Sequence, residues 1–195
     1  MTVDDEAVER FVEAAKDGDP EAFGALFDHF YAPVHRYVAA RVGRPSDAED
    51  LAQLVFVKAL EALPRYELRG VPFGGWLFRL ARNVVIDHVR TRREHVTLDI
   101  IVQQSTEDDG PDELAALRQD MDSVACAMRR LTPEQREAIQ LRFFAGLSAR
   151  EAALAMGRQE GTVRGLQFRA IAALRRELGI APDIDELGRV SGTTR

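Results

Sequence analysis

Apolar residues recur at helical spacing along this chain, and the elements they predict are helices joined by turns. The first is expected from about Asp4 to Lys16, with Val8, Phe11, Val12 and Ala15 as its apolar stripe. Asp17-Gly18-Asp19-Pro20 breaks it. A second helix carries Phe23, Leu26, Phe27, Phe30, Val34, Tyr37 and Val38, and Pro33, which lacks an N–H, is expected to kink it. Its aromatic stripe reads as core. Ser46 and Glu49 have capping-box spacing and open a third helix that ends at Pro64. There Ala48, Leu51, Ala52, Val55, Ala59, Ala62 and Leu63 face inward. Asp47, Asp50 and Gln53 fall on the opposite side, which Phe56 extends as an exposed aromatic. Carboxylates in a first turn serve the helix dipole; a partner surface is the alternative reading.

Residues 64–75 are too rich in proline and glycine for a helix, but residues 76–94 restore the period, with Trp76, Leu80, Val84 or Val85 and Val89 as core. Arg79, Arg82, Asn83, Asp87, Arg90, Arg92 and Arg93 occupy the remainder. Cations along a helix, after a loop bearing Tyr66 and Phe73, suit single-stranded nucleic acid: guanidinium groups for phosphates, aromatic walls for unstacked bases. Alone, the arginines serve equally as a solvated face.

Asp112 is placed to cap a further helix with Leu114, Leu117, Met121, Val124 and Met128 at core spacing. Pro133, at a first helical position, starts the next, and Leu131, Ile139, Leu141 and Phe143 are expected to fill a small core. Ser148 and Glu151 form a second capping-box pattern, Gly157 suits a left-handed cap, and the chain restarts at Glu160 to Thr162. Val163, Leu166, Ala170 and Leu174 then define a buried face, with Arg164, Gln167 and Phe168 on another, free to enter a major groove. The same pattern would also serve an ordinary helical hairpin.

Composition changes this picture little. The chain has 195 residues, 46% hydrophobic and 30% charged, enough for one or two ordinary cores. The acidic start and the lack of a long apolar run lead to the expectation of a cytoplasmic protein without membrane contact of its own. The lone Cys126, in an apolar-leaning run, is expected to be a small buried hydrophobe. Charge changes the picture more. The net charge of -6 hides a net of +3 over residues 21–93 and +4 over residues 118–178. Residues 94–117 carry seven acidic side chains and no lysine or arginine. Two mildly basic bodies are separated by an acidic strap whose default reading is a solvated linker.

FxxLFxxFYxxVxRYV, DAEDLAQLVFVKAL, WLFRLARNVVIDHVRTRR and LTPEQREAIQLRFFAGLSAREAALAMGRQEGTVR occur in that order. Together they resemble the extracytoplasmic-function sigma factors of the sigma-70 family, over roughly Glu21 to Leu178. The resemblance implies an all-α fold of two small helical domains. Its layout would be an acidic N-terminal helix at 1–20, sigma-2 at 21–93, an acidic linker at 94–117, sigma-4 with its helix-turn-helix at 118–178, and a flexible tail at 179–195. It implies a transcription initiation factor that binds RNA polymerase core through the beta prime clamp helices and the beta flap, and directs it to promoter DNA. Asp47, Asp50, Gln53 and Phe56 fall in the segment that docks on the clamp helices. Tyr66, Arg69 and Phe73 match the loop that captures a flipped base of the minus 10 element, with Arg79, Asn83, Asp87 and Arg90 on the helix beside it. Arg158, Thr162, Arg164, Gln167, Phe168 and Arg169 match the minus 35 reading unit. The linker would thread the RNA exit path, and an anti-sigma factor is an expected partner.

Two departures from the family pattern stand out. Gly165-Leu166-Gln167 replaces a more basic stretch of the reading helix, and Gly74-Gly75 stands where a polar or basic pair is more usual. No cofactor, metal site or catalytic constellation is expected: His29, His35, His88 and His95 lack paired metal spacing, and Cys126 has no evident histidine partner. The rival reading is a stand-alone dimeric regulator that binds a palindromic duplex by itself.

Overall fold

The computed structural model describes residues 5–42, 44–67, 72–95 and 123–180. Among these, every regular element is a helix. The expected cap at Asp112, the helical positions Leu114, Leu117 and Met121, Arg69 of the capture loop, and most of the linker and tail lie outside the described residues. The rest form two compact units, one drawn from residues 1–103 and 138–164, the other from residues 104–137 and 165–195.

The first unit is built on α1 (Asp5–Lys16), α2 (Pro20–Ala39), α3 (Pro45–Ala62) and α4 (Phe73–His95). Asp19 caps α2 by accepting from the Glu21 and Ala22 amides at 2.9 and 3.3 Å, with Pro20 in the first turn where its missing N–H costs nothing. The helix runs unbroken through Pro33. The expected capping box at Ser46 does not form. Pro45 starts α3 two residues earlier than a cap at Ser46 would, Arg44 occupies the cap position without a side-chain bond, and Ser46 is already inside the helix. A single 3-10 turn, Leu63–Arg65, follows α3.

Val12, Leu26, Val34, Tyr37, Val38, Ala52, Val55, Ala59, Leu77, Phe78, Ala81 and Val85 fill the interior of this unit, with Tyr37 and Phe78 edge to face at 5.6 Å. The α4 stripe therefore differs from expectation. Leu77, Phe78 and Ala81 are fully buried, whereas Trp76, Leu80 and Val89 are only half-buried. A helix with neighbours on several sides hides more than one row of residues, and a single-stripe reading misses the second.

The same unit includes residues 138–164. There α6 (Pro133–Ile139) ends in a π turn, Gln140–Phe144, and α7 (Ala149–Met156) packs on α4. Phe143 does not join the core as expected. Leu141 turns inward, and Phe143, two residues on and so on the other side of the coil, turns outward, 57% exposed. Both ends of α7 match the sequence pattern. Ser148 accepts from the Glu151 amide at 3.2 Å, Glu151 accepts from the Ser148 amide at 2.8 Å, and Gly157 closes the helix at φ +64°.

In the second unit, residues 123–130 form α5, and α8 (Glu160–Glu177) contributes its residues from Gly165 onward. Ala127, Met128, Leu131, Leu166 and Ala170 are buried. Val124 and Cys126, expected inside, are exposed, because α5 turns only its Ala127–Met128 side away from solvent. Arg136 donates to the carbonyls of Met128, Arg129 and Leu131 at 2.8, 2.7 and 3.0 Å, satisfying acceptors that the end of α5 leaves open.

Replacing Ser148 by alanine removes a reciprocal cap worth about 1 kcal/mol. Amide exchange in the first turn of α7 is expected to quicken accordingly, and an exchange profile equal to that of the native chain would show the cap to be dispensable.

Candidate nucleic-acid and partner interfaces

Three exposed helix faces carry the chemistry. The first lies on α3. Asp50 and Gln53 are exposed, and beside them Leu54, Val57 and Leu60 are 40%, 52% and 53% exposed. Spacings of three and four residues place these five side chains along one strip. Phe56, expected in this strip, is buried instead. Its ring packs against Phe27 at 4.7 Å and Tyr31 at 6.2 Å, which puts it on the α2 side of the helix. Asp47 is half-buried and already engaged, accepting from Arg92 at 3.0 Å with His88 Nε2 3.7 Å away. Its apolar members Leu54, Val57 and Leu60 recur every three residues, a signal present in the sequence.

The second face runs along α4. Arg79, Asn83, Asp87 and Arg90 are exposed at successive turns, with Arg82 half-buried and Ile86 open between them. Asp87 and Arg90 approach to 3.8 Å, an exposed pair of little energetic weight that leaves both groups available. Tyr66 and Phe73, expected as open walls of a base pocket, are both buried. They meet edge to face at 5.8 Å, and each lies against Trp76, at 4.8 and 5.3 Å. Their rings are thus occupied by one another and by the indole. Burial, reinforced by Glu9 and Glu13, pushes the Tyr66 phenol up to about 12.

The third face belongs to α8 and the turn before it. Val163, Leu166 and Ala170 are buried and Leu174 half-buried, close to expectation. Arg158, Thr162, Arg164, Phe168 and Arg169 are exposed, and Gln167 is half-buried. Phe168, at 62% exposure, is a large apolar side chain in water beside cations. Arg164 donates through Nε to Glu160 at 3.0 Å, an i,i+4 pair that holds the guanidinium along the helix. Gly165 has only the Arg169 guanidinium nearby, at 3.9 Å from where a Cβ would stand.

No group of three or more histidine, cysteine, aspartate or glutamate side chains among the described residues is arranged to hold a metal ion. None of the described helices is long and apolar enough to cross a membrane.

A short helix, a left-handed glycine turn and a reading helix with an exposed arginine, downstream of a second helix edged with arginine and asparagine, define a DNA-binding protein of the helix-turn-helix class. The particular family follows from comparison with known proteins. The Sigma-70 region 2 model matches residues 26–95, and the Sigma-70, region 4 model matches residues 127–176. The chain is 38% identical over 174 residues to the ECF RNA polymerase sigma factor BldN of Streptomyces coelicolor, covering 86% of this chain and 64% of BldN. It is 36% identical to the ECF sigma factor ShbA of Streptomyces griseus, over 84% of this chain and 91% of ShbA. With SigD of Mycobacterium tuberculosis the identity is 33%, over 94% of this chain and 89% of SigD. Among solved structures, CnrH in complex with the cytosolic domain of CnrY superimposes with a TM-score of 0.68 at 27% identity, covering 90% of this chain and 99% of that one. The sigma factor RpoE of Bartonella quintana, solved with the anti-sigma factor NepR, shares the fold at a TM-score of 0.62 and 23% identity, over 82% of this chain and 98% of that one. The chain belongs to the ECF sigma factors of the sigma-70 family.

The buried Tyr66 phenol sets a test of this packing. A folded-state value above that of the unfolded chain means a stability contribution present in full below about pH 10 and lost as the pH rises toward 12. Denaturation midpoints measured from pH 9 to 12 should fall across that window, and Tyr66→Phe should flatten the part of the fall due to this residue.

Proposed function

We propose that this sigma factor binds RNA polymerase core through the exposed strip of α3, holds the melted minus 10 strand along α4, and reads the minus 35 element as duplex with α8. What carries the reading is the pairing of two separate nucleic-acid faces in one chain, one in the region 2 match and one in the region 4 match. Asp50 and Gln53 supply polar contacts on α3, while Leu54, Val57 and Leu60 supply apolar area to be covered by polymerase. Asp47, tied to Arg92, orients the start of that helix, and Phe56 supports the strip from beneath.

On α4, Arg79 and Arg90 neutralise phosphates, and Asn83 and Asp87 offer hydrogen bonds to base edges. Extruding a base costs a few kcal/mol of stacking, which these contacts and the capture loop around Arg69 must offset. Tyr66 and Phe73, packed on each other and on Trp76, flank that segment in sequence. On α8, Arg164 and Gln167 donate to base edges, Phe168 offers an apolar surface for a thymine methyl group, and Arg158, Thr162 and Arg169 meet the backbone. The acidic linker spans the two domains along the RNA exit path. The protein acts in the cytoplasm as an initiation factor, without catalysis or cofactor.

CnrH was solved with the cytosolic domain of CnrY and RpoE with the anti-sigma factor NepR, and the apolar strip on α3 would suit a protein cover here. A pull-down from unstressed cells is expected to recover a small stoichiometric anti-sigma protein. Recovery of polymerase alone would argue against one.

Run-off transcription with purified core polymerase on a pool of host promoters tests the central claim. Discrete new transcripts are expected, lost on Asn83→Ala or Arg164→Ala and weakened by Leu54→Glu through poorer core binding. Absence of transcripts, together with tight binding of the protein alone to a palindromic duplex, would replace the sigma reading with the stand-alone regulator.

A further inference from the structure

Glu160 stands where an acid is disfavoured. It is the first residue of α8, and the first residues of a reading helix are the ones that reach base edges in the major groove. A carboxylate there is repelled by the phosphates on either side of the groove, and it stands among the exposed arginines Arg158 and Arg164. An acid in a first helical turn ordinarily meets the helix dipole or pairs with a cation one turn on. Exposed pairs of that kind contribute little to stability.

Arg164 donates through both Nε and Nη2 to a single oxygen of Glu160, Oε1, at 3.0 and 2.5 Å. Among the described residues each is the other's only side-chain partner. The contact does not bury them, since 68% of the arginine side chain and 42% of the glutamate side chain remain open to a ligand. With the Nε edge committed, the end of the guanidinium keeps one N–H on Nη1 and one on Nη2, a two-donor fork that matches guanine O6 and N7. Glu160 Oε2 stays beside it as an acceptor. Gly161 carries no side chain, and a Cβ there would meet nothing within 4 Å, so that side of the turn is open to an approaching base edge.

Resting on the reading of α8 as the minus 35 helix, we infer that Glu160 is itself a specificity-determining residue. It accepts from the N4 amino group of a cytosine that lies within one base pair of the guanine taken by Arg164. A carboxylate only accepts hydrogen bonds, and in the major groove only cytosine N4 and adenine N6 donate. Adenine sets its N7 acceptor beside that donor, where the second carboxylate oxygen meets a lone pair, and guanine and thymine offer acceptors alone. Cytosine is therefore the base whose edge suits an anion. Spacing sets the neighbourhood: four residues of helix rise about 6 Å, under two steps of about 3.4 Å in the duplex, and the two side chains are in direct contact. Glu160 thus acts by exclusion as well as attraction, because over guanine or thymine it is a desolvated anion facing acceptors.

Transcript yield measured base by base separates this role from that of a helix-end acid. Holoenzyme assembled from the full chain and core polymerase is given a promoter recovered from the run-off pool, with every minus 35 position replaced in turn by each other base pair. The wild-type profile should contain a cytosine whose replacement lowers transcript about tenfold. Glu160→Gln, which offers a donor and an acceptor together, should move the preference at that position to adenine and leave the remaining positions as they were. Glu160→Ala should erase it. Arg164→Lys, which keeps the charge but not the fork, should relax a guanine no more than one base pair away. Glu160 lies outside the core, so thermal midpoints of its variants should match the parent's. A wild-type profile without a cytosine preference would overturn the proposal. So would Glu160 variants whose profiles keep the wild-type shape and change only in overall yield, the result expected of a cap or a brace. A relaxed guanine two or more base pairs from the cytosine would overturn the coupling of the two contacts. If the wild-type holoenzyme gives no transcript from any promoter, the sigma reading fails and this inference falls with it.

Discussion

Helix α4 has to satisfy neighbours on several sides while keeping one face in water, and much of the first unit follows from that constraint. Leu77, Phe78, Ala81, Val84 and Val85 are buried, and α4 packs against α1, α2, α3 and α7. Burying a large apolar side chain contributes about 1.5–3 kcal/mol, so the rows containing Leu77, Phe78, Val84 and Val85 fix how the helix is rotated about its axis. Once the rotation is set, Arg79, Asn83, Asp87 and Arg90 can only point outward. The face proposed to meet nucleic acid is thus set by core packing.

The arginines show why a count of charge cannot locate a binding surface. Arg36 is spent on the Phe144 carbonyl, Arg136 on three carbonyls at the end of α5, Arg142 on the Leu147 carbonyl, and Arg92 on Asp47. Each satisfies backbone or carboxylate oxygens that would otherwise need water. The cations at the proposed DNA faces hold weaker commitments, such as the exposed pairs Arg90–Asp87 and Arg164–Glu160. An acidic protein can meet DNA in this way, because a phosphate senses the local field of a helix face more than the net charge of the chain.

The two glycine pairs of interest act in opposite ways. Gly146 and Gly157 take positive φ, where a side chain would be strained, and shape the turns that flank α7. Gly74 and Gly75 lie within a helix, where their conformation is ordinary, and matter for the space they leave to Glu151 and Leu154. A sequence does not distinguish these uses, because both are written with the same residue.

The Ser148 cap, the Gly157 turn, the buried row of α8 and the order of the family motifs were legible from sequence, because each rests on interactions within about four residues of chain, whereas α4 starts at Phe73, inside a stretch expected not to be helical. Periodicity also placed Arg79, Asn83, Asp87 and Arg90 outside the core stripe of α4, where they are exposed. It misplaced Phe56, Phe143, Val124 and Cys126, and put the α4 stripe one row off, because each depends on which neighbour a helix meets. Phe56 goes inward since Phe27 and Tyr31 await it on α2. Phe143 goes outward since it lies two residues, about half a turn, from the buried Leu141. Pro45 displaced the Ser46 cap by starting α3 early. The sequence by itself determined that the chain is helical, where most of its helices lie, and the family. The tertiary structure decided which faces meet, because packing sums contacts between residues as far apart as Gly75 and Leu154, and no local pattern records that sum.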